Sequence, residues 1–228
     1  MAVSLIVGVS FAQSVDKKEL IPNPPYVAPI PEKAAWTLVV RQKEEVGTNG
    51  ENATEVSQRP EILSVRVTKI DSRQRKIIRW KDGREEELFF IDQFMIDQSP
   101  DNQKVYVTNM DIIAEPDHLY RDSGFYGVGW LEEQYFVGTK EMEGKECFYF
   151  ERPHPIVESI KQRAWIDMKS KLPVAAEGMN GLVIYEFRSR SSGDVRLPTE
   201  FLEAWEQHQK RKRAMEILSK RLPAANNS

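Results

Sequence analysis

The chain has 228 residues, 40% of them hydrophobic and 29% charged, with a formal net charge of −3. That length can build one sizeable core, and the charged fraction suits a water-facing exterior. An acidic balance lacks the basic surface that a polyanion requires and argues against nucleic acid as the main partner.

The N-terminus opens on an apolar run from Ala2 to Ala12, with Ser10 and Ala12 as the small residues before Gln13. This predicts a secretory signal peptide over 1–12 and a periplasmic or secreted protein, although no Lys or Arg precedes the run. A buried N-terminal strand is the alternative. No stretch is long enough to suggest a membrane-spanning helix. Residues 13–35 are charged and then proline-rich, with Pro22, Pro24, Pro25, Pro29 and Pro31 in close succession. They predict an extended segment, a spacer or a strap lying over the domain.

From Trp36 the character changes to short runs that predict an antiparallel β domain over 36–196. Trp36–Arg41 is the first strand, and the Gly- and Asn-containing insert from Lys43 to Pro60 is expected to be a long mobile loop. Over 62–70, Leu63, Val65 and Val67 alternate with Ser64, Arg66 and Thr68, the period of a half-buried strand. Lys76–Trp80 and Glu86–Ile91 flank Asp82-Gly83, whose residues tolerate the positive φ of a hairpin turn. Lys104–Thr108 is a further strand. Tyr135–Thr139 and Glu146–Glu151 form a second hairpin around Glu143-Gly144, with Tyr135 and Val137 expected on one face and Phe136 on the other. Trp165–Asp167, Leu172–Val174 and Leu182–Phe187 complete nine or ten strands in a meander. The single cysteine, Cys147, excludes an intramolecular disulfide, and its aromatic neighbours predict a buried thiol.

The tail predicts a helix within 197–222, with Thr199 as N-cap and Phe201, Trp205, His208, Met215, Leu218 and Leu222 approximating an apolar stripe broken at Lys212. Lys210, Arg211, Lys212 and Arg213 form a basic block suited to a solvated face or to peripheral contact with an anionic surface. Residues 223–228 are expected to be disordered.

Candidate chemistry is sparse. His118, His154 and His208 lie on unrelated segments without metal-ligand spacing, and His154, set between two prolines, is expected to be exposed. No metal and no cofactor is implied. Asp117 and His118 are the pair a hydrolase would use, yet no Gly-x-Ser-x-Gly nucleophile elbow accompanies them. Asp167, entering a tight turn, is expected to bond backbone amides rather than to act as an acid or base. What remains is a dense aromatic span from Phe125 to Phe150, either ordinary core or one wall of an apolar groove.

The succession Gly129-Trp130-Leu131, Tyr135–Lys140, Gly144–Tyr149, Trp165–Asp167 and Leu172-Pro173 resembles the bacterial periplasmic proteins related to the LolA and LolB lipoprotein carriers and the RseB-like sensors. The resemblance covers about residues 125–190 and rests on structural motifs. It implies a curved antiparallel sheet, an incomplete barrel whose concave apolar face holds acyl chains or a partner's hydrophobic segment. A proline-rich segment stands where those carriers have a helix. The expectation is a non-enzymatic envelope protein that holds a hydrophobic ligand against Trp130, Phe136, Phe148 and Trp165, with no covalent step. The alternative is an interaction or sensor module with a filled interior.

Overall fold

The computed structural model describes residues 21–41, 61–112, 124–157, 159–179, 181–188 and 194–221. The expected signal peptide, the Lys43–Pro60 loop, Asp117, His118 and the 223–228 tail lie outside them. Eleven strands form one antiparallel sheet: β1 Lys33–Arg41, β2 Ile62–Ile70, β3 Arg73–Trp80, β4 Glu85–Ile91, β5 Phe94–Gln98, β6 Val105–Asn109, β7 Phe136–Met142, β8 Lys145–Pro153, β9 Lys161–Asp167, β10 Pro173–Gly178 and β11 Gly181–Phe187. Among the described residues one α-helix, α1, spans Thr199–Arg221.

The strand order is β6-β5-β4-β3-β2-β1-β11-β10-β9-β8-β7. Two meanders thus share one seam, where Trp36 opposes Phe187 and Leu38 opposes Tyr185. The sheet is open, with β6 and β7 as its edges. Short turns make this topology accessible. Both Glu143 (φ 50°) and Gly144 (φ 70°) adopt the left-handed conformation that matches the twist of a tight hairpin. Asp71 and Asp92 adopt it without being glycine, which short acidic side chains tolerate.

Alternation divides the sheet into two faces. Trp36, Leu38, Val65, Val67, Ile78 and Phe90 belong to a large cluster on the inner face that continues through Phe150, Ile166, Val183 and Tyr185. The outer face carries two smaller clusters. One joins Cys147, Tyr149, Trp165, Val174, Ala175 and Ile184. The other seats α1 on β4 and β5, where Phe201 meets Phe89 at a ring distance of 5.3 Å and Trp205 meets Phe94 at 5.5 Å.

Several expectations change at this scale. β5 has no counterpart among the expected strands, because its apolar run, Phe94-Met95-Ile96, is too short to show a period. A register shift between Ile62 and Ser64 turns Leu63 outward to 40% exposure, while Ile62 packs on the inner cluster. One extra residue opposite Trp80 and Arg79 is the cause. Tyr135 closes a 3-10 turn, Glu133–Tyr135, and packs on the same cluster as Phe136; the expected opposition of the two therefore fails. The first helical bond runs from the Leu202 amide to the Pro198 carbonyl, which makes Thr199 the first helical residue rather than the cap. Among the described residues of the apolar stripe, Phe201, Trp205 and His208 meet the sheet, while Met215 and Leu218 stand 67% and 55% exposed; Leu222 lies outside the described residues.

Candidate functional site

The inner face carries the large apolar cluster, and two irregular stretches of the chain cover part of it. The first is the proline-rich strap. Tyr26 lies edge-on to Phe150 at 5.5 Å, and Tyr26, Val27 and Ile30 pack on the inner cluster. The Ala28 amide donates to the Lys171 carbonyl, and the Lys171 ammonium donates to the carbonyls of Asn23 (2.7 Å) and Pro25 (3.0 Å). A turn residue of the sheet thereby pins a segment that has no regular hydrogen bonding of its own.

The second cover is the stretch 124–131. Phe125 sits against Trp36, Tyr185 and Phe187 at ring distances between 5.3 and 6.0 Å, over the seam of the two meanders. The Tyr185 hydroxyl donates to the Tyr126 carbonyl at 2.5 Å, and the Trp130 indole donates to the Gly127 carbonyl at 2.8 Å. Small residues on the sheet make room for this approach. At Gly127 (φ +70°) an added Cβ would lie 2.8 Å from the Ala176 Cβ, so both conformation and space favour glycine there.

Toward β7 the inner face continues through Trp130, Tyr135, Phe136 and Phe148. Phe136 touches Phe148 and Phe150 at 6.2 and 5.5 Å, Trp130 touches Tyr135 at 5.8 Å, and the Arg152 guanidinium lies 4.9 Å from the Trp130 ring. Three of the four residues expected to line a groove are therefore gathered on one face. Trp165 is not among them. It opposes Tyr149 on the outer face, between inward-facing Ala164 and Ile166.

At the opposite end β4 and β5 diverge beyond the Phe89–Ile96 pair, and a cavity of about 620 Å³ opens between them. Its apolar wall is Trp80, Leu88 and Met95, which belong to the inner cluster, with Phe201; the rest is largely polar, from Arg84, Asp97, Gln98, Ser99 and Gln103 and from the carboxylates Glu85, Glu86 and Glu87. These carboxylates are engaged by arginines: Arg79 with Glu85 at 2.7 Å, Arg84 with Glu86 at 3.4 Å, and Arg75 with Glu87. Such a volume falls in the ~300–1,000 Å³ range of small-molecule sites. Nearby, Lys76 and Gln74 are 2% and 4% exposed on the inner face, and the Lys76 ammonium lies 4.8 Å from the Phe90 ring centre. Sequence reasoning missed both. Their even spacing with Ile78 and Trp80 is the signal that places them there.

Three titratable groups elsewhere are held by local contacts. Burial, and then the Asp167 charge, pushes the Cys147 thiol up to about 11, which keeps it protonated. Burial raises the pKa of Asp167, but bonds from the Ser170 amide (2.6 Å) and hydroxyl (2.8 Å) and from the Lys169 amide (3.1 Å) outweigh it, leaving the group below its ordinary value. His154, expected at the surface, is 2% exposed. Its Nδ1 accepts the amides of Ile156 and Val157 at 3.2 and 3.1 Å, so the Pro-flanked segment folds over it as a turn. Among the described residues no three His, Cys, Asp or Glu side chains gather into a candidate metal centre.

No protein-family model matches the chain, and no curated protein matches it. Solved structures similar to it include two lipoprotein-related examples. LprF from Mycobacterium bovis is 12% identical with a TM-score of 0.33, over 74% of this chain and 89% of that one. A domain from Vibrio parahaemolyticus, described as outer membrane lipoprotein-sorting, is 12% identical with a TM-score of 0.28, over 66% of each chain. Likeness of this degree assigns neither family nor activity.

Proposed function

We propose that this chain is a non-enzymatic binding protein of the cell envelope that holds an apolar ligand, such as a lipid acyl chain, against the inner face of its open sheet. The observation that carries this reading is the half-open cavity by β4 and β5, where Trp80, Leu88 and Met95 of the inner apolar cluster meet a polar rim that includes Glu86, Asp97 and Gln98. Burying an acyl chain there would yield about 0.8 kcal/mol per methylene and needs no reacting group. Trp130, Phe136 and Phe148 continue the same face toward β7 and would extend the binding surface. Export to the periplasm or beyond is part of the proposal and rests on the apolar N-terminal run.

The test is a fluorescence titration with an anthroyloxy-labelled fatty acid. Met95→Trp, which fills the cavity, should weaken binding at least about ten-fold, the equivalent of ~1.4 kcal/mol. Trp165→Phe, on the outer face, should leave binding unchanged. Unchanged binding by Met95→Trp would remove the carrying observation.

A second reading has one specific observation in its favour. The stretch 124–131 is held on the inner face by the Tyr185–Tyr126 and Trp130–Gly127 hydrogen bonds. If that closure is permanent, the sheet is a filled scaffold and the protein an interaction or sensor module. Absence of fatty-acid binding in the wild-type chain would favour this reading.

A further inference from the structure

Helix α1 is anchored to the body through only its first half. Phe201, Trp205 and His208 meet the sheet, and the last contact is Lys212, whose ammonium lies 5.6 Å from the Phe94 ring centre. Every residue from 210 through 220 is exposed. At 1.5 Å per residue this half extends about 16 Å along its axis. A helix of that length has little stability in water without a surface to pack on.

The exposed half has a distinct chemistry. Lys210, Arg211, Lys212, Arg213 and Lys220 stand against Glu216 alone, in a chain whose overall charge is −3. Met215, Ile217 and Leu218 are 67%, 52% and 55% exposed. Arg211, Ala214, Met215 and Leu218 follow the i, i+3, i+4, i+7 spacing and share one face. Cationic side chains can extend their heads from such a face while their stems lie along apolar surface.

We propose that this half of α1 docks on an anionic lipid bilayer, with Met215 and Leu218 at the acyl boundary and the surrounding cations among the head groups. Charge complementarity selects the occupant. A bilayer supplies negative charge and apolar depth together, whereas a nucleic acid would leave Met215 and Leu218 unused and an apolar protein groove would leave the cations unused. The inference stands apart from the ligand-binding proposal, since it involves neither the inner face nor the cavity.

The experiment is flotation of the full chain with vesicles of equimolar phosphatidylcholine and phosphatidylglycerol, and with phosphatidylcholine alone. Binding is expected only to the anionic vesicles, weakening as salt rises. Lys210→Glu/Arg211→Glu/Arg213→Glu should reduce it about a hundred-fold or more, from roughly five-fold per cation lost. Because these three side chains are exposed, the variant should keep the wild-type melting temperature. Met215→Ser/Leu218→Ser should also weaken binding. The proposal is overturned if the wild-type chain stays off anionic vesicles, if neutral vesicles bind equally, or if charge reversal changes nothing. Undiminished vesicle binding by the serine variant, with duplex DNA as an effective competitor, would overturn it in favour of a polyanion site.

Discussion

Gly127 shows how one residue can set the closeness of two layers. It combines a left-handed φ of +70° with a Cβ position 2.8 Å from Ala176. Gly127→Ala should cost about 1–3 kcal/mol in urea denaturation. Gly129→Ala, two residues away with nothing within 4 Å, should stay within about 0.5 kcal/mol of wild type. A second residue-scale prediction concerns Glu151 on the outer face. Bonds from the Lys161 ammonium and the Tyr149 hydroxyl, both at 2.5 Å, and from Arg163 at 3.0 Å bring its pKa down to about 2 from 4.5. Because the folded state holds the carboxylate more acidic, its contribution is present above pH 4.5 and is lost as pH falls toward 2. Glu151→Gln should therefore lower stability at pH 7 by about 1–2 kcal/mol, allowing for its partial exposure, and flatten the acid dependence between those limits. Equal slopes for the two proteins in urea denaturation across that range would refute the assignment.

At the scale of elements, the helix divides at Lys212 into a docked and an undocked half. Phe201→Ala should cost about 3 kcal/mol because Phe201 is 7% exposed against Phe89, whereas Met215→Ala should fall within ~0.5 kcal/mol; thermal melts separate the two. The apolar stripe was visible in the sequence, but spacing alone does not show how far along a helix its partner surface extends. The same distinction runs through the strands. Glycine-bearing turns at Asp82-Gly83 and Glu143-Gly144 announced their hairpins, since positive φ has a compositional signature. The Asp92-Gln93 turn carries no such signature, and β5 beyond it went unseen. Face assignments held where alternation was uninterrupted, as at Val65 and Val67, and failed at Leu63, where a register shift intervenes. Phe136 and Phe148 share the inner face, but placing Trp165 required the pairing partner Tyr149, which lies sixteen positions away and leaves no local mark.

At the scale of the whole molecule, an open sheet of eleven strands must cover its apolar inner face, and among the described residues no second sheet does so. The strap and the stretch 124–131 cover much of it, and the divergence of β4 and β5 leaves about 620 Å³ beside Trp80, Leu88 and Met95. Long-range pairing of β1 with β11 creates that face, so no window of sequence displays it. Among the described residues no helix is long and apolar enough to cross a membrane, and the basic half of α1 is the element proposed to meet one. Native mass spectrometry of the protein purified from its source cells, before and after lipid extraction, addresses the ligand-binding claim most directly. The account predicts a reproducible adduct of lipid mass that extraction removes and that Met95→Trp lacks. An adduct-free wild-type protein, or an adduct retained undiminished by Met95→Trp, would contradict it.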